Sequence, residues 1–463
     1  MKSSRSKAGG KKASAASASP RVGLISLGCA KNQVDSEHLL GQFLSRGYRL
    51  TANPEKAQVL VVNTCGFLAA AEEESREAIR EMSAIRQAHP DKRLVVTGCL
   101  AQRMGDALLA DIPGIDLMVG SAQSQEVVTL LDQVNRGVVP KYQVKIPLQL
   151  ENSGMPRVRI TPAYTAYLKI AEGCDNPCSF CIIPQLRGHF RSRPPEDLLT
   201  EARHLVAEGV KELNLVSQDT TLYGRDLQPR SSLSVLIREL DALPGLRWIR
   251  LLYLYPTLIN EELLRTMAAS AHVLPYFDMP LQHVDGGVLA AMRRAERPEG
   301  IRKLLTRIRE ILPEATLRTT FLVGFPGESE AAFANLEALV AEGWFDHVGV
   351  FCYSDEAEAA SHAFENKVPQ EIAEARRERI MAVQQEISRQ RLARRVGQRL
   401  TVLVEGPSEE NQGILTGRSA AQAPEVDGQV FLVEGWAEAG SLVEVEVTQA
   451  HEYDLVGRIR KVL

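Results

Sequence analysis

Three apolar runs in the first hundred residues end the same way. Val22-Gly23-Leu24-Ile25-Ser26-Leu27 leads into Gly28-Cys29, Val59-Leu60-Val61-Val62-Asn63 into Thr64-Cys65-Gly66, and Leu94-Val95-Val96-Thr97 into Gly98-Cys99. A continuously apolar run of this length reads as a strand covered on both faces. Each run is followed by helical periodicity, as in Ser36-Glu37-His38-Leu39-Leu40-Gly41-Gln42-Phe43-Leu44. Strand and helix in alternation require a parallel α/β sheet with right-handed crossovers. Each cysteine then stands just past the carboxyl end of a strand, one β-α unit from the next. Ligands bind at that edge of an open α/β sheet, so neighbouring strands would make the three sulfurs converge. The plainer alternative is three buried cysteines in tight turns.

A second trio is local. Glu172-Gly173-Cys174-Asp175-Asn176-Pro177-Cys178-Ser179-Phe180-Cys181 follows the strand-like Ala166-Tyr167-Leu168-Lys169-Ile170, and its Gly and Pro make it a loop. A loop can curl three thiolates around one soft metal centre. Tetrahedral zinc wants four ligands, and no fourth Cys or His stands at zinc-finger spacing. Three thiolates on a cubane of four irons leave one iron free for a small molecule. A structural zinc loop and unrelated core cysteines are the alternatives, and core cysteines have no reason to take this spacing in a polar loop.

With Phe180 just before the third cysteine, this loop resembles the radical S-adenosylmethionine (SAM) superfamily. The resemblance implies a 4Fe-4S cluster on Cys174, Cys178 and Cys181 whose open iron chelates SAM. One electron then cleaves SAM to methionine and a 5′-deoxyadenosyl radical. An α/β domain with three strand-end cysteines ahead of such a core is similar to the methylthiotransferase family. That implies a second 4Fe-4S cluster on Cys29, Cys65 and Cys99, which holds or delivers sulfur. Ser26-Leu27-Gly28-Cys29-Ala30-Lys31-Asn32-Gln33-Val34-Asp35-Ser36-Glu37 resembles the branch that modifies a ribosomal protein. The tRNA-modifying branch has Tyr-Gly-Cys-Gln-Met-Asn at this point.

The rest of the chain sorts into four parts. Residues 1–20 are rich in Ser, Ala, Gly, Lys and Arg without acids, and are expected to be a disordered basic tail. Residues 21–145 form the first α/β domain. Residues 160–395 alternate strand and helix signals again, which predicts a full or partial (β/α) barrel with its chemistry at the carboxyl mouth; the resemblance implies a partial one of six strands. The run from Glu371 to Arg395 is a long charged helix. Residues 396–463 alternate at period two and read as a small antiparallel β-barrel, similar in position to a TRAM domain. The overall class is α/β.

Several strand ends of the barrel carry groups that a SAM site needs, and they match segments the resemblance implies: Ser217 and Gln218, Gln282, Thr320, and Gly324 with Glu328, beside Phe180 in the loop. Ordinary capped βα loops are the alternative for each. Arg187-Gly188-His189-Phe190-Arg191-Ser192-Arg193 either steers SAM or an acidic side chain, or is a solvated face. His283 is either a proton donor or structural, and Cys352 is core or a strand end. No catalytic residue is expected beyond the cluster ligands, since no paired carboxylates or Ser/His/Asp set points to hydrolysis.

Charge narrows the partners. A net charge of −4 is wrong for a chain whose main task is gripping nucleic acid. Residues 396–463 hold five basic and eleven acidic side chains, which repels phosphate and attracts a basic protein. Seven cysteines, six of them in the two trios, fit a reducing cytoplasm, and no apolar run reaches membrane-span length. The expected activity, as the resemblance implies, is methylthiolation of the β-carbon of an aspartate in small-subunit ribosomal protein twelve. It would need SAM, a sulfur donor and an electron donor such as flavodoxin or ferredoxin. tRNA adenosine methylthiolation is the nearer alternative; a non-catalytic iron–sulfur carrier is the other.

Overall fold

The computed structural model describes residues 19–121, 126–138, 142–144 and 150–463. Residues 1–18 of the basic tail and residues 145–149, at the end of the first domain and just beyond it, lie outside the described residues. The first domain is one parallel sheet in the order β2-β1-β3-β4-β5-β6, from β1 (Arg21–Ser26), β2 (Arg49–Leu50), β3 (Val59–Thr64), β4 (Arg93–Gly98), β5 (Leu117–Val119) and β6 (Tyr142–Gln143). Leu60, Val62, Leu94 and Val96 point to one face, under Ile79 and Met82. Val59, Val61 and Val95 point to the other, against Leu39, Phe43 and Leu131. Both faces are dry, which is why the strands read as unbroken apolar runs. Ser26 pairs with Asn63, and Thr64 with Gly98, so β1, β3 and β4 end level with one another.

The middle domain holds β7 (Thr165–Lys169), the short antiparallel pair β8 (Ala171–Glu172) and β9 (Arg191–Ser192), and then β10 (Glu212–Val216), β11 (Trp248–Leu251), β12 (Tyr276–Gln282), β13 (Thr316–Val323) and β14 (His347–Cys352). Two parallel three-stranded sheets, β7-β10-β11 and β12-β13-β14, are joined by the Ile249–Val273 bridge and by Leu254 N–H donating to Asp278 O at 2.8 Å. Among the described residues β14 and β7 do not pair, so this is a partial barrel of six strands with an open seam. Ala166, Leu168, Leu213, Leu215, Ile249 and Leu251 face the surrounding helices. Their alternates Glu212, Asn214 and Arg250 are buried and polar.

The third domain is a closed five-stranded barrel, β15 (Arg399–Pro407), β16 (Leu415–Ser419), β17 (Val430–Glu434), β18 (Leu442–Ala450) and β19 (Leu455–Val462), in the order β15-β16-β17-β19-β18. The pairs are antiparallel, as period-two alternation predicts, except that β17 and β19 run parallel. The strand returning from the β18–β19 hairpin fills the gap beside β17, which reverses its sense there.

This small barrel closes the amino end of the larger one. Arg418, fully buried, places Nη2 2.6 Å from Glu212 Oε2 at the start of β10 and Nε 2.7 Å from Glu405 Oε1. Arg250 reaches the same Glu212 carboxylate at 3.2 Å and donates to Ala420 O at 2.9 Å. Tyr276 Oη donates to Asp427 at 2.6 Å, and His347 Nε2 to Ala421 O at 2.8 Å. Burial opposes ionisation of Glu212, but Arg418 and Arg250 outweigh it and hold its pKa at about 2.

Removing one partner strands a buried charge. Arg418→Met is therefore expected to cost about 3–5 kcal/mol of unfolding free energy in urea melts. Since folding lowers the Glu212 pKa, its contribution is complete above the ordinary glutamate range and is lost as the pH falls towards about 2. The wild-type stability curve should fall across that window, and Glu212→Gln should flatten it.

Candidate functional site

The level strand ends bring the first trio together. Cys29 caps the helix Ala30–Ser45, Cys65 follows β3, and Cys99 opens the short helix Cys99–Met104. Gly28 has φ +91, and a Cβ there would stand 3.0 Å from Cys65 Sγ. Gly98 has φ +99, and a Cβ there would stand 2.4 Å from Thr64 O. Only glycine allows these loops to touch. Asn63 Nδ2 donates to Asn32 O at 2.9 Å, and Asn32 Nδ2 donates to Leu27 O at 2.6 Å, which fixes the turn around Cys29.

The second trio lies in the loop after β8. The loop is tied down by Cys174 N–H to Gly188 O at 3.2 Å and by Ser179 Oγ to Ala291 O at 2.8 Å. Each sulfur meets a donor: Asn176 Nδ2 at 3.5 Å from Cys174, Arg294 Nη1 at 3.9 Å from Cys178, and the Ile183 N–H at 3.4 Å from Cys181. Burial pushes the thiols of Cys174 and Cys181 up to about 11 and about 12.

Both trios fit an iron–sulfur cluster better than a single ion. Within each trio every pair of thiols interacts electrostatically. Yet the one set of three ligand-type groups within 4.8 Å of one another, among the described residues, is Asp35, Glu151 and Glu172. Thiolates on one zinc would lie closer than that, at about 2.3 Å from the ion. A cubane spreads its thiolates further apart and takes N–H donors on its sulfurs. The three carboxylates are themselves filled by a lysine: Lys169 Nζ stands 2.7 Å from Glu151, 2.8 Å from Glu172 and against Asp35.

The helix that follows the second trio reaches the first across the domain junction. Arg187, in the helix Ile183–Arg187 just after the second trio, donates from Nε to Cys99 Sγ at 3.3 Å. Its other nitrogens reach Asn32 Oδ1 at 3.1 Å, Asp35 Oδ2 at 2.6 Å and Glu172 Oε2 at 3.3 Å. Cys99 packs with Ile182, Leu186 and Ala359, and the Lys31 ammonium lies 3.3 Å over the Tyr253 ring. The segment 187–193 is thus neither a solvated face nor a free steering patch. Arg187 and Arg193 are buried clamps, Arg193 on Asp197 and Glu201, while His189 is exposed. Sequence reasoning did not single out Asp35, Lys169 or Glu151. Their meeting spans more than a hundred residues and leaves no local signal.

The other sequence-predicted residues divide. Ser217 is buried beyond β10, and Gln218 Nε2 donates to Glu172 at 2.6 Å while its buried Oε1 has no partner. Gln282 ends β12 at φ +66, and Thr320 alternates with the fully buried Phe321 of β13. Phe180 meets Phe325 edge to face at 6.5 Å, which ties the cysteine loop to the glycine segment. Glu328 is committed to the fold: it accepts from Gly324 N–H and pairs with Arg376 at 3.0 Å and His283 at 3.2 Å. His283 Nδ1 accepts from Asp285 N–H at 3.0 Å, so Nε2 carries the proton and donates to Glu328. His283 is structural, and Cys352 is a strand end.

Family models match along the chain: the uncharacterized protein family UPF0004 over residues 21–120, the radical SAM superfamily over 168–340 and the TRAM domain over 396–459. Solved structures share the fold. The radical SAM methyltransferase TsrM from Kitasatospora setae, with cobalamin and a 4Fe-4S cluster bound, superposes with TM-score 0.55 at 17% identity, covering 72% of this chain and 75% of that one. The cobalamin-dependent SAM radical enzyme OxsB gives TM-score 0.51 at 11% identity over 79% of this chain and 56% of that one. Fold and cysteine loop together define a radical SAM protein with an added α/β domain. Curated relatives go further. The ribosomal protein uS12 methylthiotransferase RimO of Syntrophotalea carbinolica is 44% identical over 95% of this chain and 96% of its own length. RimO of Anaeromyxobacter sp. (strain Fw109-5) is 46% identical, covering 96% and 93%, and that of Geobacter sulfurreducens 41%, covering 96% and 99%. The chain belongs to the RimO family of methylthiotransferases.

Thiol reactivity reports the field of the junction. Cys29 is exposed at the surface; the protein packed around it opposes ionisation, but Lys31, Arg187 and the N–H groups of Asn32 and Lys31 together lower its pKa. Burial wins at Cys99, pushed up to about 11 despite Arg187. In metal-free protein near neutral pH, iodoacetamide is expected to label Cys29 well before Cys99 and Cys181 by peptide mass spectrometry. Lys31→Met, which removes the largest cation acting on Cys29 and not on Cys99, should narrow the gap.

Proposed function

We propose that this enzyme adds a methylthio group to the β-carbon of an aspartate in ribosomal protein uS12. The observation that carries this reading is the pair of three-cysteine sets on two adjoining domains, with Arg187 from the helix after the second set donating to Cys99 of the first. Bound on Cys174, Cys178 and Cys181, and on Cys29, Cys65 and Cys99, two 4Fe-4S clusters would supply one-electron cleavage of SAM and a sulfur-bearing centre respectively. Ser217, Gln218, Gln282, Thr320, Phe180 and the Gly324 backbone bind and orient SAM, and Glu328 acts by holding Gly324. SAM serves as methyl donor and as radical source. The reaction needs a sulfur donor and a low-potential electron donor, and takes place in the cytoplasm, where thiols stay reduced. The domain limits we adopt are 21–145, 160–395 and 396–463. Among the described residues no helix is long and apolar enough to cross a membrane.

Charge favours a protein over tRNA as acceptor. Of the few basic groups in the third domain, Arg418 is buried in the barrel floor, and Arg399, Arg458 and Arg460 are paired with Glu444, Glu434 and Glu446. Glu409, Glu410, Glu425 and Glu438 remain exposed. That surface suits a basic ribosomal protein and repels a phosphate backbone.

Mass spectrometry of uS12 and of tRNA from a deletion strain decides the acceptor: uS12 should lose its methylthio mass and tRNA adenosine should keep its own. The opposite pattern would make the enzyme a tRNA methylthiotransferase. Cys178→Ala should abolish 5′-deoxyadenosine formation with dithionite and SAM. Cys65→Ala should leave that cleavage and stop sulfur insertion, with iron content falling by about half. Wild-type protein that forms no 5′-deoxyadenosine would be a carrier.

A further inference from the structure

A cleft of about 460 Å³ opens beside the barrel's cysteine loop. Arg293, Arg294 and Arg297 line it with Pro177, Tyr255 and Leu258, and no carboxylate lines it. Its walls come wholly from the barrel, so the first and third domains leave it accessible. Arg294 forms the inner wall. Its guanidinium lies 4.2 Å over the Tyr255 ring, donates to Pro280 O at 2.8 Å and stands 3.9 Å from Cys178 Sγ, with buried Glu296 balancing its charge. One side chain therefore separates the cleft from a cluster-ligating sulfur.

The other two arginines are exposed and make no ion pair among the described residues. Arg297 Nη1 donates only to carbonyls, Arg294 O at 3.5 Å and Glu296 O at 3.0 Å. Arg293 makes no ion pair among the described residues and is held at φ +56 just past the helix Gly286–Ala291. A non-glycine residue held left-handed is a local cost that persists where surroundings fix it, often at functional positions. The exposed acids nearby in sequence, Asp175 and Glu299, do not line the cleft, and Asp175 is tied to His189 at 2.8 Å.

We propose that this cleft docks an acidic protein carrier that delivers one electron to the barrel's cluster; the inference rests on the iron–sulfur reading above. The carrier is oxidised by one electron and the barrel's centre reduced by one, with no bond made or broken. Opposite charge steers such encounters, and electron-transfer contacts are small, so two free cations around an apolar patch suffice. Entry here also keeps the carrier clear of the junction where the acceptor must lie.

The test uses full-length, iron–sulfur-loaded protein and flavodoxin as the acidic carrier. The Kd is measured by titration at low salt, and SAM cleavage is driven in parallel by reduced flavodoxin or by dithionite. The double variant Arg293→Glu/Arg297→Glu should weaken the Kd by about tenfold or more and slow flavodoxin-driven cleavage to match. Dithionite-driven cleavage and iron content should not change. Arg293→Glu alone, whose side chain makes no contact the fold needs, should show the effect in part, and Arg46→Glu on the first domain should show none. Unchanged flavodoxin affinity in the double variant would overturn the proposal. Loss of affinity for an RNA oligonucleotide with flavodoxin binding intact would also overturn it and make the cleft a phosphate site. If wild-type protein cleaved no SAM with dithionite, the cluster reading itself would fail, and the Kd comparison would still stand.

Discussion

A guanidinium buried between two domains sets the geometry on which everything else depends. Arg187 belongs to the barrel by sequence, yet it donates to a sulfur of the first domain and to Asp35 on that domain's first helix. With Glu172 and Lys169 it forms a network of charges taken entirely out of water. Such a network is costly unless every member is paired, and it is intolerant of displacement because each group has only one acceptable position. A hydrophobic seam could slide by part of a side chain; this one cannot. The placement of the first cysteine set against the barrel is therefore held by ion pairs together with the packing of Cys99 on Ile182 and Leu186. That suits a reaction in which a short-lived radical must meet sulfur without searching for it.

The lower half of the barrel follows the same rule. Six strands without a closing pair leave a lumen that apolar side chains could have filled. Instead Glu212, Arg250, Asn214 and Thr165 occupy it, and the third domain sends Arg418 down to complete the set. The polar lumen and the terminal domain are each incomplete alone.

How much of this was legible in the sequence depends on range. The strand-end cysteines were readable because a strand's apolar run and its terminating glycine are local, and because parallel β-α units put successive strand ends on one edge. The loop trio was readable from its spacing and from the Gly and Pro beside it. The parallel β17–β19 seam was not, since strand alternation is blind to direction. The roles of Arg187 and Arg193 were misjudged for a related reason: a run of cations carries no mark of whether acids 8 or 152 residues away will enclose it. Glu328 reads in sequence as a SAM contact, whereas its carboxylate pairs with Arg376 from a helix that looks, in sequence, like an ordinary charged surface.

Arg418 has a further consequence for how such enzymes diversify. Terminal modules of this kind are often imagined as interchangeable heads on a common catalytic body. Here the head contributes a cation that the body's floor was built around, and the floor contributes the anion. A transplanted module lacking that arginine would leave Glu212 with half its counter-charge, so a domain exchange in this chain has to keep positions 212, 250 and 418 together.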